Sequence, residues 1–202
     1  MASSRYTAPE HVRFDRSPEI LRSIVEPEVT LSVWDRPTPM VIGPFDDFTT
    51  VRFVAAIEDV AAKLEQMVAD TCTQHWRVPL AADIALLARL YARIMQIDAV
   101  EIRLERVTDN ACWKFHCDYV SVRLITTYRG QATQWLDQAG AAASKAGRTV
   151  APHQLETGAV GLFKGRTLAG DAAIVHRSPP IDGLGEDRLL LVIDPAPPAA
   201  RE

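Results

Sequence analysis

Two stretches in the first half of the chain repeat their apolar residues at helical spacing. FVAAIEDVAAKLEQMVADT (53–71) puts Val54, Ile57, Val60, Ala61, Leu64, Met67 and Val68 on one face, which predicts an amphipathic helix. Asp46 or Asp47 is positioned to cap its approach. LAADIALLARLYARIMQI (80–97), entered after Pro79, carries a second stripe through Ile84, Leu87, Leu90, Tyr91 and Ile94. Both helices are expected to pack on a sheet.

Beyond residue 98 the period changes to two. AVEIRLERV (99–107) and DYVSVRLITTYRG (118–130) alternate as half-buried strands do. Shorter strand signals are EVTLSVW (28–34), ATQWL (132–136), AVGLFKG (159–165), AAIVHRS (172–178) and RLLLVID (188–194). The 137–157 segment, DQAGAAASKAGRTVAPHQLET, is small, polar and turn-prone, and reads as a loop long enough to act as a lid. Residues 1–27 read as a loosely packed arm. Residues 28–194 read as one domain, with a helical part (53–97) and a β core (99–194), and 195–202 as a disordered Pro/Ala-rich tail. Helices followed by a run of strands predict an α+β fold, with helices buttressing an antiparallel sandwich or jelly roll.

A formal net charge of −4 disfavours a nucleic-acid-coating role, so no nucleic-acid partner is expected. No apolar run approaches the roughly 20 residues that span a bilayer, and the polar N-terminus lacks a signal-peptide core. A cytoplasmic location away from membranes is the expectation. Cys72, Cys112 and Cys117 are odd in number and show no repeated CxxC spacing, which argues for reduced thiols rather than a disulfide framework or zinc ribbon.

The chemistry concentrates in KFHCDYV (114–120). His116 and Asp118 are two apart, so on a strand both side chains face one way. His176 ends a second apolar strand signal, and Arg188 opens the last one twelve residues later. Two histidines and a carboxylate on one sheet make the three-ligand set of non-haem iron(II) enzymes, with positions left open for a cosubstrate and dioxygen. Neutral imidazoles and one carboxylate leave bound Fe(II) with a single net positive charge, which suits an anionic cosubstrate. The same His2Asp set equally serves catalytic zinc. His11, His75 and His153 lack this context. Trp113 and Trp135 read as core residues, with Trp113 and Phe115 packed behind the ligand strand.

HCDYVSVRLITTYRGQATQWL, followed by DAAIVHRSPPIDGLGEDRLLLVID, resembles the two halves of the double-stranded β-helix (a jelly-roll or cupin-like core) of Fe(II)/2-oxoglutarate-dependent dioxygenases, especially the prolyl-hydroxylase-like branch. The resemblance spans roughly residues 112–194. TYRG and HRSPP also resemble segments of a bacterial family known only as a domain of unknown function. The superfamily resemblance implies that His116, Asp118 and His176 ligate and activate iron. It implies that Arg188 binds the distal carboxylate of 2-oxoglutarate, with Tyr128 and Thr126 assisting from the same strand face. Leu190 stands where relatives often carry Ser two positions after the arginine, and the tract before His176 is short. By alternation Arg177 points away from the ligand face, and Arg123 away from His116. The implied activity is oxidation of a small-molecule, amino-acid or peptide substrate, using Fe(II), 2-oxoglutarate and O2. Two alternatives stay open: a zinc-dependent or cosubstrate-free metalloenzyme, and a non-enzymatic cupin-like metal-binding protein in metal homeostasis.

Overall fold

A computed structural model describes residues 9–46, 48–69 and 75–198. Residues 1–8 of the expected arm, Asp47, Cys72 and residues 199–202 of the expected tail lie outside them. The strands are β1 (Val12–Asp15), β2 (Leu31–Trp34), β3 (Val51–Ala56), β4 (Ala99–Val107), β5 (Val122–Arg129), β6 (Gln134–Leu136), β7 (His153–Gln154), β8 (Val160–Lys164), β9 (Val175–Arg177) and β10 (Arg188–Pro195). The α-helices are α1 (Val60–Ala69), α2 (Arg77–Met95), α3 (Gln138–Lys145) and α4 (Arg166–Ala169).

Seven strands form one sheet in the order β1-β2-β8-β5-β10-β4-β3, and three form a second in the order β7-β6-β9. Pairing is antiparallel throughout apart from β1 with β2. The two faces of the large sheet bury different sets of residues. Val122, Leu124 and Tyr128 of β5, with Leu189, Leu191 and Ile193 of β10, share a core with Leu80, Ile84, Leu87 and Tyr91 of α2. Ile125, Leu190 and Val192 instead join Trp135 of the small sheet, with Phe163 and Ile174. The large sheet is therefore the middle layer, with helices on one side and the small sheet on the other. No helix among the described residues is long and apolar enough to cross a membrane.

Several elements depart from the sequence expectation. Residues 51–56, expected to begin the first helix from 53, form β3 on the edge beside β4. Val51, Phe53 and Ala55 are buried while Arg52 and Val54 are exposed, so period two governs until the helix starts at Val60. Strands thus precede the helices as well as follow them. Helix α2 begins before Pro79, which sits in the first turn, where its missing N–H costs no intrahelical bond. Residues 9–27, expected as a loose arm, contribute β1 and a 3-10 helix (Pro18–Val25), and bury Val12, Leu21 and Ile24. The expected 137–157 loop contains α3, whose N-cap Asp137 accepts the Gly140 N–H at 2.6 Å. Alanine, small enough to read as loop, is also the strongest helix former.

Candidate metal centre

His116 and His176 are brought together by the backbone. They exchange both main-chain hydrogen bonds, His116 N–H to His176 O at 3.0 Å and His176 N–H to His116 O at 2.9 Å. Directly opposed residues of an antiparallel pair project to the same side, and the two imidazole centroids lie 4.7 Å apart. His176 also pairs with Trp135 of β6, so the His116 segment extends the small sheet beyond β9.

Asp118 completes the group. Donor atoms of His116, Asp118 and His176 all lie within 4.8 Å of one another. Asp118 Oδ2 is 3.2 Å from His176 Nε2, and Oδ1 is 3.6 Å from His116 Nε2. His116 Nδ1 lies 2.9 Å from the Lys114 carbonyl, which orients the ring so that Nε2 faces Asp118. The turn after Asp118 is anchored by α4, whose Arg166 N–H donates to Asp118 O at 2.8 Å. Gly165 permits that approach: a Cβ there would come within 2.3 Å of the Val120 carbonyl oxygen.

Burial acts to raise the Asp118 carboxyl, but the adjoining His116 and His176 rings and the Arg123 guanidinium outweigh it. They hold the carboxyl well below the usual carboxylate range. The same carboxylate raises the His116 imidazole against the effect of burial. Asp118 Oδ2 and His176 Nδ1 are buried without a hydrogen-bond partner among the described residues. Two imidazoles and an ionised carboxylate, with an unsatisfied buried oxygen between them, fit a divalent transition metal.

Arg188 lies on the same side of the large sheet, on the β10 face that carries Leu190 and Val192. It is fully buried. Its Nε donates to Gln131 O at 2.6 Å and its Nη2 to Thr127 Oγ1 at 3.4 Å, while Nη1 has no hydrogen-bond partner among the described residues. Burial pushes its pKa down to about 10. Gly130, at φ +83°, lets the turn after β5 pass over it: a Cβ would sit 2.9 Å from Arg188 Cγ and 2.5 Å from Asp187 O.

Tyr128 and Thr126 are not beside the triad. Tyr128 belongs to the helix-side core and donates its hydroxyl to Asp83 Oδ2 at 2.7 Å; burial and that carboxylate raise its pKa far above the ordinary value. Thr126 Oγ1 points to Gly158 O at 3.4 Å. Even-number alternation fails because residues 118–121 are not strand, so the register restarts at Val122. For the same reason Arg123 lies beside Asp118, not away from it: Nη1 is 2.5 Å from Asp118 Oδ1. Thr127, not Thr126, is the threonine that reaches Arg188. Asp194, which grips Arg123, also escaped the sequence reading; its signal was an acid in register with Arg188, Leu190 and Val192 on an apolar strand.

Arg177 turns away as expected, donating to Gln134 Oε1 at 2.8 Å and stacking over Phe115 at 4.2 Å. Trp113, expected behind the ligand strand, is 46% exposed. His153 stacks on the buried Trp135 at 4.3 Å, and buried His11 places Nδ1 2.7 Å from Thr30 Oγ1. A cleft of about 700 Å3 opens beside His116, walled by Phe115, by Ala141 and Lys145 of α3, and by Ile174 and Val175.

Fold and site together define a mixed α/β protein carrying a two-histidine, one-carboxylate set of metal-type donors between a large and a small sheet. The chain belongs to the DUF1826 family, described as a protein of unknown function, whose model matches residues 15–194. No curated protein matches the chain. Among solved structures, a Pseudomonas putida prolyl-4-hydroxylase is similar at 14% identity and a TM-score of 0.48, over 94% of this chain and 97% of that one. AviO1 from Streptomyces viridochromogenes Tue57 is similar at 17% identity and a TM-score of 0.40, over 86% of this chain and 92% of that one. A rice dioxygenase for auxin oxidation is similar at 11% identity and a TM-score of 0.43, over 77% of this chain. This chain spans 59% of the rice protein's length. The chemistry of the site is read from its own side chains.

Proposed function

We propose that the protein is an Fe(II)- and 2-oxoglutarate-dependent oxygenase built on a double-stranded β-helix. From β4 onward the chain alternates between sheets, apart from the consecutive β6 and β7: β4, β5, β8 and β10 lie in the large one, and the His116 segment, β6, β7 and β9 in the small one. That alternation supports the jelly-roll reading.

His116, Asp118 and His176 would hold the iron, and Arg188 would hold the far carboxylate of 2-oxoglutarate. The observation that carries the cosubstrate is the state of Arg188. A fully buried guanidinium that pairs with no carboxylate among the described residues is costly unless an anion joins it. Its free Nη1, with Nη2 turned to the Thr127 hydroxyl, suits one carboxylate in a charge-assisted contact. Leu190 removes the hydroxyl that relatives offer two positions on, so Thr127 takes the place of that contact. Iron with both cosubstrates supplies an oxidation in which 2-oxoglutarate and O2 become succinate and CO2 and one oxygen atom enters a substrate C–H bond. This chain's contribution is to fix the donors, keep Asp118 ionised and bury the cosubstrate's charge away from water. The cleft beside His116 is the route for a small-molecule, amino-acid or peptide substrate.

Protein purified without oxygen and loaded with Fe(II) should bind 2-oxoglutarate and release succinate and CO2 on aeration. His176→Ala should lose stoichiometric iron. Stoichiometric zinc that iron cannot replace, with no 2-oxoglutarate binding, would overturn the reading.

A further inference from the structure

Resting on the iron reading above, we propose that Arg123 is a positioning residue: clamped by Asp194, it occupies Oδ1 of Asp118 and leaves Oδ2 as the one oxygen offered to the metal. Arg123 Nε and Nη2 meet the two oxygens of Asp194 at 2.7 and 2.8 Å, a bidentate fork that fixes the plane of the guanidinium. The remaining arm, Nη1, reaches Asp118 Oδ1 at 2.5 Å. Asp194 is held in turn by Arg103, whose Nη2 lies 3.6 Å away. The linkage therefore runs from the metal-type donor across β5 and β10 to β4, three neighbouring strands of the large sheet. Arg123 and Asp194 side chains are 17% and 7% exposed, so solvent screens the linkage little.

The two oxygens of Asp118 are thereby made unequal. Oδ1 is committed to protein, whereas Oδ2 is buried, lacks a hydrogen-bond partner and faces His176 Nε2 at 3.2 Å. A carboxylate held this way ligates through one oxygen, and the coordination position that a second oxygen would take stays available to an exogenous ligand. Asp194 also offsets the charge of Arg123, and Glu105, 3.2 Å from Arg103 Nη1, offsets that of Arg103, so the linkage carries no net charge to repel an incoming dication.

Metal affinity and ligand geometry separate this role from a merely structural one. Co(II) affinity is measured by competition with a chromophoric chelator, and its visible absorption reports the ligand set, for wild type, Arg123→Gln, Arg123→Lys and Asp194→Asn. Loss of an outer-shell partner of a metal ligand typically lowers affinity by about 10–100-fold, and that is the expectation for Arg123→Gln, together with an altered Co(II) spectrum. Arg123→Lys keeps the charge without the fork and should recover part of the affinity; Asp194→Asn should show an intermediate loss. Thermal melts identify the folded variants, and if Arg123→Gln does not fold, Arg123→Lys and Asp194→Asn carry the same test. Wild type that binds no metal would sink the iron reading itself. Wild type that binds, with folded variants unchanged in affinity and spectrum, would overturn the positioning role alone.

Discussion

The two faces of the large sheet each bury an arginine, and the two are treated differently. On the helix side, Arg36 donates from Nη1 and Nη2 to both oxygens of Asp83 at 2.6 and 2.7 Å, and from Nε to Gly158 O at 3.2 Å. Tyr128 adds a third bond to Asp83, and the Arg36 guanidinium lies 4.6 Å over the Trp34 ring. Arg36 and Asp83 thus neutralise each other within the protein. On the opposite side Arg188 has, among the described residues, a carbonyl and a hydroxyl but no carboxylate, and one nitrogen is unsatisfied. A complete buried ion pair ties α2 to the sheet. An incomplete one marks a place where a ligand is expected.

Removing half of the complete pair gives the largest expected loss of stability. Asp83→Ala strands Arg36 and the Tyr128 hydroxyl in the helix-side core and should cost about 3–5 kcal/mol in denaturant unfolding. A loss below about 1 kcal/mol would show that the pair is not a structural tie. Arg188→Met should act oppositely. With no internal charge left unpaired, unfolding stability should hold or rise, while 2-oxoglutarate affinity measured by calorimetry falls on the order of a hundredfold. If Arg188→Met unfolds the protein as Asp83→Ala does, the contrast between the faces is wrong.

The smallest effect concerns His11, near the mouth of the inter-sheet side. Burial lowers its pKa below the ordinary 6.5. A folded pKa below the unfolded one means the unfolded chain binds the proton more readily. Stability from this residue is full above pH about 6.5 and is lost as pH falls through the lowered folded value. His11→Gln should flatten that part of the stability profile in equilibrium unfolding; an unchanged slope would remove His11 from the account.

Legibility followed locality. Strand β4 matches its predicted bounds, 99–107, because alternation leaves one solution, and β10 begins at Arg188 as expected, because a short continuous apolar run suits a strand buried on both faces. Residues 53–56 fit two patterns: Val54 continues the helical face of Ile57 and Val60, whereas Val51, Phe53 and Ala55 alternate as a strand, and pairing with β4 decides between them. Parity counting across 116–128 failed because it presumed an unbroken strand, and a short irregular turn was enough to exchange Arg123 for Tyr128 beside the triad.

Residue types and short-range pattern alone determined the apolar stripe of α2, the alternation of β4, the apolar run of β10, and the presence of His116, Asp118, His176 and Arg188 as the residues worth watching. These are properties of a few consecutive side chains, fixed by backbone geometry. Tertiary structure decided what no local window contains. It set His116 opposite His176, sixty positions on, gave Arg36 its carboxylate and Arg188 none, and carried Asp194 across the sheet to grip Arg123. Long-range pairing brings distant charges into one low-dielectric space, and there the presence or absence of a partner separates a structural arginine from one that awaits a ligand.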